Sequence, residues 1–246
     1  ILREYWDKET HPFTHLDIPQ SQLGITALTA PFGNMNQTSR LTFQCNQSKS
    51  TCGYFAMNWC YRADKDTFLQ YLCETPLVKT KTAKYMPPNG YNSIVAIMVY
   101  SGYNQDDSIV ASKAAFERGA YNGSKFTYEM AIKEDSKQQF RIPDVTITAD
   151  TKAASYSKLN ENGYVPKGTI VVKNDVIIGM VSPMPDNLSS EYKFQDVSLR
   201  WPHEEQAIVH NVITGTNEDG KTFIKIAFRK FRSPSIGDKF SSRAGQ

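Results

Sequence analysis

The chain has 246 residues, 40% of them hydrophobic, and a formal net charge of +3. That is enough for one large domain or two small ones with real cores, the profile of an ordinary soluble globular protein. The near-balanced charge does not by itself point to a polyanionic partner. No apolar stretch is long enough to cross a bilayer and no signal peptide is evident, so an intracellular protein without a membrane partner is expected.

Cys45, Cys52, Cys60 and Cys73 form no Cys-x-x-Cys pair, a poor spacing for zinc. A chain this rich in apolar residues has no need of disulfide staples, so free thiols in a reducing compartment are expected. His11 and His15 stand four apart in polar sequence and read as structural. Glycosylation sequons at Asn36, Asn46, Asn122 and Asn187 are then chance matches. Starting at Ile1 and stopping at Gln246 without a tapering tail, the sequence reads as an excerpt from a longer polypeptide.

In chain order, Leu23 to Phe32 alternates small and apolar residues. Asn34 to Arg40 is a polar loop rich in turn formers, and Arg40 to Gly53 continues amide-rich with Lys49 inside it. So few apolar residues bury little, which leaves surface padding or a segment shaped to touch a polar ligand. Phe55 to Leu72 is aromatic-rich, and Met86 to Gly90 is a turn cluster. Ile94 to Tyr100 is an unbroken apolar run with no room for a solvated face, so it predicts a strand buried on both sides. The run breaks at Gly102 and delivers two adjacent carboxylates, Asp106 and Asp107. Neighbouring acids at the rim of a core need compensation from backbone donors, a basic side chain or a bound cation. A bland alternative makes Asp107 or Ser108 the cap of a helix.

Ile109 and Val110 extend a strand in this reading, and Ser112 caps a short helix from Lys113 to Arg118 closed by Gly119. Strands with loops are expected over residues 120–158. Thr169–Val172 and Val176–Ile178, punctuated by Gly and Asn turns, suggest a small antiparallel barrel. Ala207–Thr214 and Thr222–Phe231 predict a hairpin, with Ile224, Ile226 and Phe228 facing one way and Lys225 and Arg229 the other. From Lys221 onward seven basic residues (Lys221, Lys225, Arg229, Lys230, Arg232, Lys239, Arg243) face one acid, Asp238. That is the footprint of phosphate contact or, equally, a solvated strand face.

Three blocks, Asn36-Gln-Thr-Ser-Arg40, Gly102-Tyr-Asn-Gln-Asp-Asp-Ser108 and Gly237-Asp-Lys-Phe-Ser-Ser-Arg243, resemble active-site blocks of the second-largest subunit of multisubunit DNA-dependent RNA polymerases. Leu159 to Pro166 and Asp175 to Pro183 resemble that family's wall, or flap. The resemblance runs in order from about Phe13 to Gln246. Gln105 and Asn36-Gln37 place it with the archaeal, eukaryotic and large-DNA-virus branch, and Phe13–Gln20 and Pro76–Thr80 are similar to the asfarvirus-like enzymes.

The resemblance implies a mainly β fold with short helices, part of a double-psi β-barrel (the hybrid-binding region) interrupted by a wall β-domain. It divides the chain into 1–26, the end of a preceding external region; 27–119, the first part of the active-site barrel with its fork loop; 120–230, the wall; and 231–246, a return into the barrel. It implies templated nucleotidyl transfer from nucleoside triphosphates to an RNA 3′ end. Mg2+ would be shared with the largest subunit, which carries an Asp-triad motif absent from this chain. Implied partners are that subunit and others, the DNA template and the RNA–DNA hybrid, in a nucleus, a cytoplasm, or a viral factory or virion.

Residue by residue, Asp107 falls near the second, nucleotide-borne metal and Asp106 beside it. The family has Glu at the latter position, and the shorter Asp106 reaches less far. Arg40 and Lys239 match contacts to nucleotide phosphates, Lys239 also near the RNA 3′ end. Gln37, Lys49 and Arg243 match nucleic-acid contacts, although Ser50 and Ala244 depart from the family's Gln and His. From other classes, a non-catalytic nucleic-acid clamp or assembly scaffold retaining the fold is the competing function. An RNA-templated polymerase of related barrel architecture is a third reading.

Overall fold

The structure is a computed structural model that describes residues 23–50, 56–151, 155–184 and 191–246. His11, His15, the Phe13–Gln20 block, Cys52 and the Asn187 sequon lie outside the described residues. The chain divides into two compact units: Ile1–Phe55 with Cys73–Ile97 and Ile236–Gln246, and Ala56–Leu72 with Met98–Ser235.

The second unit is β-rich and holds the main core. Its largest sheet has five strands in the order β1 (Asp66–Gln70), β2 (Gly123–Ile132), β11 (Thr222–Arg232), β10 (Ala207–Thr216), β5 (Ile170–Val171), every neighbouring pair antiparallel. The predicted hairpin is β10–β11, in register from Thr216↔Thr222 and broken by a bulge between Val209 and Asn211. Along β11 the alternation holds: Ile224, Ile226 and Phe228 are buried, while Arg229 is exposed and Lys225 half-buried. Ala227 is buried as well, so this strand loses its solvated face at the centre.

A second sheet has the order β3 (Gln139–Phe140), β7 (Met180–Pro183), β8 (Phe194–Asp196), β4 (Thr148–Ala149), the last pair parallel. A two-stranded ladder joins β6 (Val176–Ile178) to β9 (Leu199–Arg200). Trp201 is its anchor: 1% exposed, its ring 4.5 Å from that of Phe228, its indole N–H donating to the Glu205 carbonyl at 2.8 Å.

Among its described residues the first unit has no strand and two α-helices, α1 (Ile25–Leu28) and α2 (Thr38–Ser50). Helix α2 shows no apolar helical period, because its only buried side chain is a Gln, Gln44. Its hydroxyls bond back to the preceding turn, Thr42 to the Thr38 carbonyl at 3.0 Å and Ser50 to that of Asn46 at 2.9 Å.

Two expectations fail. Ile94 to Tyr100 forms no strand, and all seven side chains are exposed, Ile94 and Ile97 completely. A strand buried on both sides needs ladder partners and two covering layers, and no segment of the described residues pairs with this one. Ile109 and Val110 likewise are exposed and belong to no strand. The short helix forms as α3 (Lys113–Glu117), with Ser112 at its N-cap and Gly119 at φ 112° just beyond it. Because α3 begins at Lys113, neither Asp107 nor Ser108 caps it. Among the described residues, no helix is long and apolar enough to cross a membrane.

One ion pair sits in the core of the second unit. The Asp175 carboxylate, in a residue 4% exposed, accepts from the Lys158 ammonium at 2.6 Å and from the Val172 N–H at 2.8 Å. Lys158 also donates to the Ile170 carbonyl at 2.9 Å. Lys158→Met leaves that carboxylate without its cation and is expected to destabilise the unit by about 3 kcal/mol, whereas Lys158→Met with Asp175→Leu recovers most of the loss. Denaturant unfolding midpoints check both.

Candidate active site

The acid pair sits on a turn built by the backbone. Ser101 and Gly102 have positive φ (56° and 74°) and reverse the chain after the apolar run. A second turn closes from the Ser108 N–H to the Gln105 carbonyl at 3.1 Å, with the Ser108 hydroxyl donating to the same oxygen. Asp106 lies inside it at φ 54°, a conformation Asp tolerates better than most residues. Both carboxylates are exposed, and neither forms an ion pair among the described residues.

The cationic candidates belong to the other unit. Gln37 gives its carbonyl to the Leu41 N–H at 3.1 Å and so starts α2. Arg40 is exposed one turn further on, its guanidinium 5.6 Å from the centre of the Phe43 ring, and Lys49 is exposed in the last turn. α2 has no acid along its length.

The segment from Ile236 to Gln246 is brought onto this helix. Ser241 donates to the Gln47 side-chain carbonyl at 2.6 Å. Gly245 is buried with φ 76°, and a Cβ there would drive into the Arg40 carbonyl oxygen. Only glycine permits that approach and that φ together. The fold therefore places the segment bearing Lys239 on the helix bearing Arg40. Lys239 itself is exposed, and neither cation forms an ion pair among the described residues.

Arg243 is less free than the sequence suggested. It is half-buried, its guanidinium donates to the Val78 carbonyl at 3.2 Å, and burial pulls its pKa below the usual arginine range. With Gln44, Ser48, Lys79, Lys84 and Met86 it lines a cavity of about 220 Å³. Gln44 donates to the Ser48 hydroxyl at 2.8 Å, and its own carbonyl oxygen is buried without a partner among the described residues. Neither Gln44 nor the role of Gly245 was legible in sequence: a buried amide in a polar run and a glycine near a lysine carry no periodic signal.

Much of the basic stretch after Lys221 is engaged internally. Lys225 donates to the Ala63 carbonyl at 2.8 Å and lies 5.0 Å from the Tyr128 ring centre. Lys230 pairs with Glu205 at 3.4 Å over the Trp201 ring. These two lie on no solvated strand face: Lys225 is half-buried and the Lys230 side chain is 11% exposed. Among the described residues, Cys45, Cys60 and Cys73 form no disulfide.

Exposed cations stand on α2 and on the segment docked against it, and the acid pair is exposed on its own turn. Residues 26–246 match the family described as RNA polymerase Rpb2, domain 6, and the chain belongs to that family. It is 37% identical over 250 residues to DNA-directed RNA polymerase II subunit 2 of Arabidopsis thaliana, covering 96% of this chain and 21% of that protein. It is 36% identical over 251 residues to DNA-directed RNA polymerase II subunit RPB2 of Schizosaccharomyces pombe, with the same coverage of each chain, 96% and 21%. To DNA-directed RNA polymerase subunit 2 of Acanthamoeba polyphaga mimivirus it is 36% identical over 245 residues, 95% of this chain and 20% of that one. The chain thus spans about a fifth of the length of these curated relatives.

Gly245→Ala is expected to lift the closing segment from α2. Amide exchange across Thr38–Ser50 and 236–246 should rise together by on the order of tenfold. Unchanged exchange in both would show that the close approach of Gly245 to Arg40 is not what holds the segment.

Proposed function

We propose that this chain is the part of an RNA polymerase second-largest subunit that grips the incoming nucleoside triphosphate and the RNA 3′ end during templated nucleotidyl transfer. The observation that carries this reading is the docking of the Lys239 segment on the Arg40 helix, with both cations exposed. A guanidinium is a planar fork suited to two phosphate oxygens, and an ammonium is a compact point charge that follows a shifting one. Together they suit a triphosphate, where charge moves from one oxygen to another as the bond breaks.

Asp106 and Asp107 fit a divalent cation in kind. They are hard oxygen donors on adjacent positions, exposed to solvent, and Mg2+ takes one or two carboxylates with phosphate oxygens and waters. Among the described residues, no three His, Cys, Asp or Glu side chains gather into a metal cluster, so the pair supplies part of a coordination shell. Asp107 holds the nucleotide-borne ion, directly or through water, and Asp106 adds negative potential beside it. When bound, Mg2+ neutralises charge on the leaving phosphates and favours in-line displacement. Arg40 orients the triphosphate, Lys239 steadies the phosphates near the RNA end, and Gln37, Lys49 and Arg243 contact nucleic acid, the last by giving up its Val78 bond.

The largest subunit supplies the other metal site, so this chain is inert alone. Residues 27–119 are the first part of a double-psi barrel completed by the rest of the longer subunit, and residues 120–230 form the wall between two barrel segments. The assembled enzyme works inside the cell, on a DNA template and an RNA–DNA hybrid.

In the assembled polymerase, Asp107→Ala is expected to slow single-nucleotide addition by on the order of 10²-fold, the usual cost of one preorganised electrostatic group. A wild-type rate would remove Asp107 from the site. Arg40→Lys is expected to raise the nucleotide KM and lower kcat, because a forked contact becomes a single point. Salt-sensitive duplex binding by an enzyme in which neither change affects incorporation would instead favour a nucleic-acid clamp.

A further inference from the structure

The turn that carries the acid pair has one half-buried residue between Ser101 and Val110, and it is Asn104; the other nine are exposed. Its side-chain amide makes two bonds to the end of the apolar run. Oδ1 accepts from the Tyr100 N–H at 3.1 Å, and Nδ2 donates to the Met98 carbonyl at 2.7 Å. One side chain thus ties the Met98 carbonyl and the Tyr100 N–H to the turn, from a position four residues beyond Tyr100.

The consequence for the acids is geometric. Two consecutive positive-φ residues, Ser101 and Gly102, let the chain reverse but do not hold it reversed. Nothing apolar anchors residues 101–110, since all but Asn104 face solvent. The short turn Gln105–Ser108 fixes the carboxylates relative to one another, and the Asn104 amide ties that turn to Met98 and Tyr100. Carboxylates two and three residues beyond Asn104 inherit its position. A charged group helps in a reaction when it is already in place, and a misplacement of about 1 Å costs on the order of 10²-fold.

We infer that Asn104 is a positioning residue, whose side-chain amide, bonded to the Met98 carbonyl and the Tyr100 N–H, sets the orientation in which Asp107 is presented to the nucleotide-borne cation. This rests on the proposed role of Asp107. Asn104 itself touches neither substrate nor metal.

The test is a double-mutant cycle in the assembled polymerase, read by single-nucleotide addition at saturating nucleotide, together with amide hydrogen exchange of the segment 98–108. Asn104→Ala is expected to raise exchange at the Tyr100 amide by about tenfold or more, since its acceptor is gone. It is expected to slow addition by about tenfold, and to cause no further slowing in an Asp107→Ala background. A general loss of fold would instead slow both backgrounds by the same factor.

If Asn104→Ala prevents assembly, Asn104→Asp takes its place. It is isosteric, keeps the acceptor for Tyr100 and sets a carboxylate against the Met98 carbonyl. An extra negative charge attracts a cation, so a slower rate there reports misplacement.

A wild-type rate for the Asn104 variant, equal slowing in both backgrounds, or, in Asn104→Ala, unchanged Tyr100 exchange overturns the inference while a slow Asp107→Ala enzyme leaves the Asp107 role standing. A wild-type rate for Asp107→Ala overturns both.

Discussion

The central strand β11 is paired along its length, to β2 on one side from Phe223 to Arg232 and to β10 on the other from Thr222 to Arg229. Its backbone donors and acceptors are thereby spent, and its inward side chains can be fully apolar without leaving a polar group stranded. Ile226, Ala227 and Phe228 reach zero exposure there, and Trp201 packs on Phe228. The rest of the second unit depends on that ladder. β5 and β1 are the ends of the same sheet, and Val165, Val171, Val176 and Ile178 share its core cluster. Two basic side chains of β11 serve it as well: the ammonium groups of Lys225 and Lys230 lie over the Tyr128 and Trp201 rings and reach the Ala63 carbonyl and Glu205.

The first unit is held differently. Its buried apolar side chains are few and small, Ala27 and Ala30 among them, and its principal helix buries an amide. What orders it is specific polar contact: Ser241 on Gln47, Arg243 on Val78, and the bare backbone of Gly245 against the Arg40 carbonyl. Polar contacts of this kind contribute about 1 kcal/mol each, far less per residue than a packed core. They are directional, however, and direction fixes geometry. A segment located by hydrogen bonds and by a glycine that admits no side chain has one register on its helix.

What was legible in the sequence follows from the same division. The β10–β11 hairpin could be read because its two faces differ in polarity at period two, and α3 because Ser112 and Gly119 punctuate it. Helix α2 could not, since thirteen mostly polar residues carry no apolar stripe and their helicity is set by contacts far along the chain. The run Ile94–Tyr100 was read correctly as apolar and wrongly as buried in this chain. Composition says what a segment needs, and the partner that supplies it is a separate fact. The family blocks gave the identities of Asp107, Arg40 and Lys239, yet no motif marks Asn104 as the residue that closes the turn, because its contribution is a pair of backbone bonds.

Arg40, Lys239, Asp106 and Asp107 are all exposed, and exposed charges are weak. At a separation of 4 Å two unit charges in water interact by about 1 kcal/mol, and salt screens them further. These residues therefore do little for the stability of the chain that carries them. Such charges gain strength only where water is removed, since the same pair gains about fourfold at an intermediate dielectric. Within each unit they stand on a hydrogen-bonded support: helix α2 with its docked segment for the cations, the Asn104-tied turn for the acids. Under the roles proposed for them, those supports matter as much as the charges, for a carboxylate that has to be reoriented at the moment of reaction has lost the advantage of being there.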